Sequence, residues 1–363
     1  MPVPARLPSH RLLFAAVALT GLALVTACGG SAHPADAVRP TAIAHPAVIS
    51  PQVDAERTTR VTYDLGDTAY APPGLDGQLT ELRAAVTYPR EPGSGKHPLV
   101  VMLHGWADTC RTGDEPVRPY AWPCGGNARP VDNYLGYSYL ADALAEKGYV
   151  VVSVSANGIQ AHETKRGDVA RAGLLDEHLR MWQQLSEGKG PLRALGQLAG
   201  RVDPDRVGTL GHSRGGGGVL SEVLDSHARV PGVNIRAAMA FAPAMNGIDA
   251  AKERIGRVPL TVVAGTCDAM WEDSQIPLAM AAGNPHARHI ELKGGNHNYF
   301  NTVWTPGSGP AFATDDVAVE HRDLAGGRCR STNGSGDPVR LGPAEQRRAA
   351  IDAATAFFDA YLK

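Results

Sequence analysis

The stretch that most constrains the fold is Arg206-Val-Gly-Thr-Leu-Gly-His-Ser-Arg-Gly215, followed at once by three more glycines. Its first half is a short apolar run typical of a strand, and its second half begins a Gly-rich stretch with helical character. A serine between two glycines at such a strand-to-helix turn is typical of an exposed nucleophile. The chain has 41 glycines in 363 residues, so the pentapeptide alone is weak evidence and its surroundings must decide.

Short apolar runs alternate with helical ones on both sides of this stretch. Such alternation predicts the α/β class, with a mostly parallel central sheet of about eight strands and helices on both faces. Two long stretches, Ala107–Asn133 and Thr305–Leu341, fit no element. Strands are expected at 58–65, 79–88, 98–103, 149–154, 206–210, 235–241, 260–264 and 289–292, and helices at 137–147, 173–185, 191–199 and after Gly342-Pro343.

Length and composition allow one large catalytic domain with an N-terminal extension. Hydrophobic residues make up 43% of the chain and charged residues 20%, as in ordinary globular proteins. The formal net charge of -2 gives no basic excess for binding nucleic acid, so we expect none to be bound. We expect a signal peptide over 1–27, an Ala/Pro-rich tether over 28–57 and an α/β catalytic domain over 58–363.

The first residues have the pattern of an export signal. Arg6 and Arg11 precede an apolar run that ends at Val25-Thr26-Ala27-Cys28. The run is shorter than the roughly 20 apolar residues that a membrane-spanning helix needs. Its ending resembles a bacterial lipobox, which implies that Cys28 is lipidated. We therefore expect an extracellular or cell-envelope protein, anchored to the membrane only at Cys28.

Four cysteines remain after Cys28, and outside the cytoplasm they are expected to form disulfides. Four cysteines allow three pairings, and we favour Cys110–Cys124 with Cys267–Cys329 because closure of a short loop is the easiest. The spacings contain no Cys-x-x-Cys pair, so we expect no metal site.

The serine acquires partners from the ends of other strands. Acyl transfer requires a base beside the serine, an acid that orients the base, and donors for the oxyanion. Asp268 follows the strand over 260–264, with Asp273 as its competitor, and His297 follows the last strand. The order Ser, Asp, His is the one expected of an α/β-hydrolase. The backbone N–H groups of Trp106 and Arg214 are the expected oxyanion hole.

The region from Arg60 to Lys363 resembles secreted actinobacterial esterases of the cutinase-like, poly(ethylene terephthalate) hydrolase-related branch of the α/β-hydrolases. The resemblance rests on three stretches, Val202–Ser213, Pro259–Asp268 and Gly295-Asn-His297. It implies that Ser213 is the nucleophile, Asp268 the acid and His297 the general base, and that Trp106 stands where the family usually has tyrosine.

Two departures bear on the substrate. Arg214 stands where polyester-cleaving relatives usually carry methionine, and the stretch after Trp106 is much longer. Both departures argue against polyester cleavage, and we expect the long, polar, disulfide-closed loop beside the oxyanion hole to narrow the open cleft that polymer hydrolases use. Trp271 and Phe300 are candidate pocket residues, with packing as the alternative.

Three histidine and arginine motifs have simpler interpretations. His104 is expected to support the oxyanion loop by hydrogen bonding, and His212 to be a structural neighbour of Ser213. Arg166-Gly167-Asp168 matches an adhesion tripeptide, which we interpret as coincidence.

These features predict a monomeric serine hydrolase that cleaves small-molecule, lipid or polymeric esters through an acyl-enzyme, without a cofactor. The alternatives are a peptidase or amidase on the same fold, and a non-catalytic binding lipoprotein.

Overall fold

The structure is a computed structural model that describes residues 47–118, 120–305 and 323–363. Its main sheet has the strand order β1-β3-β4-β9-β5-β10-β11-β12-β13, with β2 also paired to β3. In this spatial order, neighbouring strands from β9 to β13 are parallel. The pairs among β1, β2, β3 and β4, and the pair of β4 with β9, are antiparallel. These strands are β1 (Val48–Ile49), β2 (Val53–Asp54), β3 (Thr58–Asp64), β4 (Arg83–Pro89), β5 (His97–Leu103), β9 (Val150–Val154), β10 (Val202–His212), β11 (Ile235–Phe241), β12 (Leu260–Gly265) and β13 (Ala287–Leu292).

Helices cover both faces of this sheet, as the α/β prediction requires. The longer ones are α1 (Ser138–Ala145), α3 (Gly167–Ser186), α4 (Arg214–Glu222) and α6 (Pro343–Leu362). The shorter ones are α2 (Asn157–Ala161), α5 (Ile276–Met280) and the 3-10 turns Asn133–Tyr137, Gly196–Leu198, Asp273–Gln275 and Asn298–Phe300. No helix among the described residues is long and apolar enough to cross a membrane.

The alternation of side chains along β5 explains why that strand is apolar throughout. Leu99, Val101 and Leu103 pack into the core that includes α3 and α4, whereas Val100 and Met102 pack into the core that includes α1 and α6. A strand buried on both faces needs apolar side chains at every position. Because the strands from β5 to β13 are parallel, the carboxyl ends of β5, β10, β12 and β13 lie along one edge, where the loops that follow them can form a site.

Several predicted boundaries are corrected by the structure. The last part of the expected tether over 28–57 is not a tether, because β1 and β2 pair with β3. The helix expected over 191–199 is only the 3-10 turn Gly196–Leu198 within turns. The strand expected over 79–88 begins at Arg83, since Thr80 instead forms a bridge to Tyr70.

Both stretches that fit no element contain short strands. Within 107–133, β6 (Cys110–Thr112) pairs antiparallel with β7 (Glu115–Pro116) and β8 (Arg129–Pro130). Within 305–341, β14 (Asp323–Leu324) pairs with β15 (Arg328–Cys329). Disulfides join Cys110 to Cys124 and Cys267 to Cys329, with Cα separations of 5.7 and 5.9 Å, which is the predicted pairing. The expected signal peptide and Cys28 lie outside the described residues.

Candidate active site

Ser213 stands at the sharp turn between β10 and α4. Its backbone has φ 55° and ψ -127°, a positive-φ conformation that residues other than glycine rarely adopt. The turn is possible because its flanks are glycines: a Cβ on Gly211 would collide with the Gly215 carbonyl, and one on Gly215 with the Leu103 carbonyl. Strain of this kind at a tightly packed position is typical of functional sites.

Helix α4 packs against α3 through its glycines. A Cβ on Gly217 would collide with the Asp168 carboxylate, and one on Gly218 with the Arg171 side chain. Both charged side chains are buried, and Arg171 forms an ion pair with Glu163 at 2.7 Å. Burial raises the pKa of Asp168 to about 6. Since Asp168 is inaccessible, the tripeptide at 166–168 does not expose the carboxylate that an adhesion motif would present.

The loop after β5 meets Ser213 at Gly105. A Cβ on Gly105 would lie 2.7 Å from the His212 carbonyl and 3.0 Å from the Arg214 backbone nitrogen, so only glycine allows this approach. His104 fixes the loop, because its Nδ1 donates to the Gly105 carbonyl at 2.8 Å and its Nε2 accepts the Ala156 N–H at 2.8 Å. Burial lowers the pKa of His104 to about 4, which keeps the imidazole neutral in this role.

Trp106, the predicted oxyanion residue, therefore follows a glycine that touches the serine turn. The N–H of Arg214 begins α4, where backbone donors are free of helical partners. The Arg214 side chain is partly exposed, and its Nη1 donates to the Met245 carbonyl at 2.9 Å. The Ala244 N–H also donates to the Ser213 carbonyl at 3.0 Å, so the loop after β11 supports the same turn.

Asp268 and His297 form a buried pair beyond β12 and β13. His297 Nδ1 lies 3.0 Å from each carboxylate oxygen of Asp268, and neither side chain is exposed. The Met270 N–H donates to Asp268 Oδ1 at 2.7 Å and orients the carboxylate. Asp273, the competitor, lies in the following 3-10 turn, where burial raises its pKa. The structure thus brings His297 to Asp268.

His212 packs directly behind His297, with ring centroids 5.0 Å apart. The same ring contacts Trp304 at 5.0 Å and Phe300 at 5.4 Å, and its Nδ1 lies 2.9 Å from the Tyr137 hydroxyl. Burial holds the pKa of His212 well below its ordinary value. His212 is therefore a neutral packing residue that places His297 next to the serine turn.

The two candidate pocket residues, Trp271 and Phe300, are both buried, as the packing alternative predicts. Phe300 is fully buried and stacks on Phe241 at 4.8 Å, so it packs the core beneath His212. Trp271 is nearly buried and packs against His289 on β13, with ring centroids 5.3 Å apart. Neither presents an open aromatic surface, because both face their own neighbours in the core.

The disulfide-closed loop lies beside Trp106. Tyr120 contacts the Trp106 ring edge-on at 5.5 Å, and both side chains are partly exposed. At the base of the loop, Arg118 forms two hydrogen bonds with buried Asp108 at 3.0 and 3.1 Å. The long insertion therefore forms one wall next to Trp106.

Sequence reasoning missed a buried amide network beneath this wall. Asn133 donates to the Asp108 carbonyl at 2.9 Å and accepts from Trp304 Nε1 at 2.8 Å. Asn157 and Asn301 extend the network to the loops after β9 and β13. Asn133 and Asn157 begin a 3-10 turn and the one-turn helix α2, and Asn301 ends another 3-10 turn, so these elements are too short for a sequence pattern to indicate their burial.

Gln346 on α6 was also missed. It is fully buried and bonds to the backbone of Asn296, which precedes His297. A usable signal existed, because Gln346 is the one polar residue on the stripe that continues through Ala350, Ala354 and Phe358.

A family model described as PETase, PET hydrolase-like, matches residues 134–308. Over these residues the chain is similar to the PET hydrolase-like family, and its mostly parallel sheet covered by helices is the α/β-hydrolase fold. The match covers slightly under half of the chain, from just before α1 to just beyond Trp304, and it includes Ser213, Asp268 and His297. Trp106 and the Cys110–Cys124 loop lie outside it. No curated protein matches the chain with significance. Among the described residues, no cluster of His, Cys, Asp or Glu is arranged to hold a metal ion.

Proposed function

We propose that the chain is an exported serine esterase that hydrolyses carboxylic esters through an acyl-enzyme on Ser213. The observation that carries the proposal is the strained backbone of Ser213 at the β10–α4 turn, next to the buried Asp268–His297 pair. The PET hydrolase-like match supports ester hydrolysis as the activity. The two disulfides support an oxidising location outside the cytoplasm.

The proposed reaction has two steps. Ser213 Oγ attacks the ester carbonyl carbon while His297 Nε2 takes the hydroxyl proton, and Asp268 stabilises the imidazolium that forms. The N–H groups of Trp106 and Arg214 stabilise the negatively charged carbonyl oxygen. The tetrahedral intermediate collapses, and His297 returns the proton to the departing alcohol. A water molecule then attacks the acyl-enzyme by the same sequence and releases the carboxylic acid.

The proposed acyl site lies between the loops that meet at Ser213. Trp106 and Tyr120 form a partly exposed aromatic wall, and the partly exposed Arg214 side chain is held by its bond to the Met245 carbonyl. Burial of Trp271 and Phe300 supports assigning them to packing and not to the pocket. A wall built from a 14-residue disulfide loop supports a narrow cleft, which suits small esters better than a polyester chain.

The test is Ser213→Ala. We expect p-nitrophenyl acetate and butyrate turnover by the purified wild type, and loss of at least about 1,000-fold in the variant. Esters of increasing acyl length, a polyester film and a peptide p-nitroanilide assayed side by side define the substrate class. Unchanged ester turnover in Ser213→Ala would reject the proposed function.

The lipid anchor is a separate proposal. Mass spectrometry of the mature N-terminus is expected to find lipidated Cys28. An unmodified first residue other than Cys28 would reject the anchor and leave the esterase proposal unaffected.

A further inference from the structure

The turn that carries His297 has little regular structure of its own. After β13 ends at Leu292, the chain passes through Gly294, Gly295 and Asn296 before the short 3-10 turn at Asn298–Phe300. Two glycines give such a turn little intrinsic conformational preference, because they have more accessible backbone conformations than other residues. The proposed mechanism nevertheless needs the imidazole fixed to within a fraction of an ångström. Something outside the turn must therefore hold it.

The C-terminal segment contacts this turn at two points. The Leu341 N–H donates to the Gly294 carbonyl at 2.8 Å, just before α6 begins. One turn into α6, the side-chain amide of Gln346 meets the backbone of Asn296. Gly294 has φ +82°, and a Cβ there would collide with the Val339 carbonyl, so the two segments are in direct contact.

Gln346 pairs with Asn296 through both halves of its amide. The Asn296 N–H donates to Gln346 Oε1 at 2.9 Å, and Gln346 Nε2 donates to the Asn296 carbonyl at 2.7 Å. The side-chain amide thus forms the two hydrogen bonds that the backbone of a neighbouring strand would form, and it pairs both backbone groups of Asn296. Gln346 is fully buried, so water cannot substitute for it, and each lost bond would leave an unpaired polar group.

Only glutamine combines the required length with one donor and one acceptor. A glutamate carboxylate would accept from the Asn296 N–H but would face the Asn296 carbonyl oxygen without a donor. Asparagine is one methylene shorter, and methionine has nearly the same shape but no strong hydrogen bond.

The helix behind Gln346 is rigidly anchored. Its first turn is capped by Glu345, whose Oε2 accepts the Gly342 N–H at 2.9 Å, and its buried face packs Ala350, Ala354 and Phe358 into the core. A side chain in the second turn of such a helix has a fixed position. It can therefore transmit the position of the helix to the turn that carries His297.

We propose that Gln346 is a positioning residue for the general base, acting through the backbone of Asn296. This inference rests on the proposed function, in which His297 accepts the Ser213 proton. Because Gln346 does not reach the site itself, its loss lowers kcat and leaves KM nearly unchanged. A loosened turn also weakens the contact of His297 with Asp268, which stabilises the protonated imidazole, so the pH of half-maximal kcat/KM moves downward.

The test compares Gln346→Met, Gln346→Glu and Gln346→Asn with the wild type in p-nitrophenyl butyrate hydrolysis between pH 5 and 9. Phe358→Leu is the matched control, because it weakens the same helix without contacting Asn296. We expect Gln346→Met and Gln346→Glu to lose about 10- to 100-fold in kcat, with KM within about threefold. Gln346→Asn, which keeps both amide groups, is expected between them and the wild type, and it carries the test if Gln346→Met does not fold. Phe358→Leu is expected to lower Tm and leave kcat and the pH profile unchanged.

The outcomes separate this proposal from the esterase proposal. Ser213→Ala is run in parallel: if it remains active, the esterase proposal fails, whatever Gln346 does. If Ser213→Ala is inactive and folded Gln346 variants keep kcat within twofold, the positioning role is rejected. Loss of kcat in proportion to Tm, at an unchanged pH profile and equally in Phe358→Leu, also rejects it.

Discussion

The two halves of the candidate site are held in place by different means. The Ser213 half lies at the centre of the sheet, and its geometry comes from close backbone approach, with Gly105, Gly211 and Gly215 each leaving no room for a Cβ. The Asp268–His297 half lies toward the β13 edge, and distant segments hold it through the Cys267–Cys329 disulfide and Gln346. One half depends on the shape of a short local sequence, and the other depends on partners far along the chain.

The largest effect is expected from replacing the carboxylate of the Asp268–His297 half. Asp268→Asn keeps the shape but offers Nδ1 an amide that can stabilise the wrong tautomer, so kcat is expected to fall about 10,000-fold. Asp273→Asn is the control, because Asp273 lies in the next 3-10 turn, whereas it is Asp268 whose oxygens lie 3.0 Å from His297 Nδ1. Its kcat is expected within about threefold of the wild type. Equal losses in the two variants would contradict the assignment of Asp268.

The next largest effect is expected in the Ser213 half, from a side chain at Gly105, where the loop after β5 approaches the Ser213 turn. Gly105→Ala pushes a methyl group against the Ser213 turn and the Arg214 nitrogen, which we expect to lower kcat/KM about 100-fold. Gly95→Ala is the matched control, since a Cβ at Gly95 meets nothing within 4 Å. Ester kinetics and circular dichroism of both variants check the prediction. A fully active Gly105→Ala would show that this approach does not define the oxyanion hole.

The two disulfides are expected to contribute differently to the free energy of unfolding. Cys267–Cys329 spans 62 residues and Cys110–Cys124 spans 14, so chain entropy predicts that the first contributes about 1 kcal/mol more to the free energy of unfolding. Urea unfolding of the two double-serine variants measures the difference. Loss of the longer bridge is also expected to reduce kcat, because Cys267 adjoins Asp268. A larger loss of stability from the shorter bridge would contradict the entropic argument.

The smallest predicted effect is a loss of folding stability at acid pH, caused by His104 beside the Ser213 half. The folded-state pKa of His104 is about 4 and the ordinary value is 6.5, so the unfolded chain binds the proton first. Folding stability therefore falls as pH drops below about 6.5, by about 2 kcal/mol from this residue between pH 7 and 5. Asp168, with a raised pKa of about 6, contributes in the opposite direction over the same range.

Urea unfolding at pH 7 and pH 5 isolates the contribution of His104. His104→Gln is expected to be less stable at pH 7 and to lose less on acidification than the wild type. His286→Gln, at an exposed ring contact with Tyr361, is the control and should follow the wild type. The same acid loss in His104→Gln and the wild type would contradict a neutral, buried His104.

The same division explains how far the sequence predicted the molecule. The parallel sheet, the order of its strands along the chain and the serine turn follow from local patterns, because apolar runs and glycines act on their immediate surroundings. The strand at 48–49 was missed because pairing with β3 is not visible in a two-residue run. Gln346 and Asn133 were missed because their importance lies in contacts with residues 50 and 168 positions away.

Aromatic residues near a motif also proved to be poor indicators of a pocket. Phe300 and Trp271 follow His297 and Asp268 in sequence, yet each is buried, because a large apolar side chain gains more from burial than from lining a wet cleft. Trp106 and Tyr120 remain partly exposed because their loop lies beyond the end of the sheet.

The most direct test of the central claim is covalent labelling of the folded protein with a fluorophosphonate, followed by peptide mass spectrometry. The account predicts one adduct per chain, on Ser213, that is absent in Ser213→Ala and forms far more slowly in His297→Ala, because the hydroxyl needs its base. An adduct on another residue, or labelling of Ser213 at the same rate without His297, would contradict it.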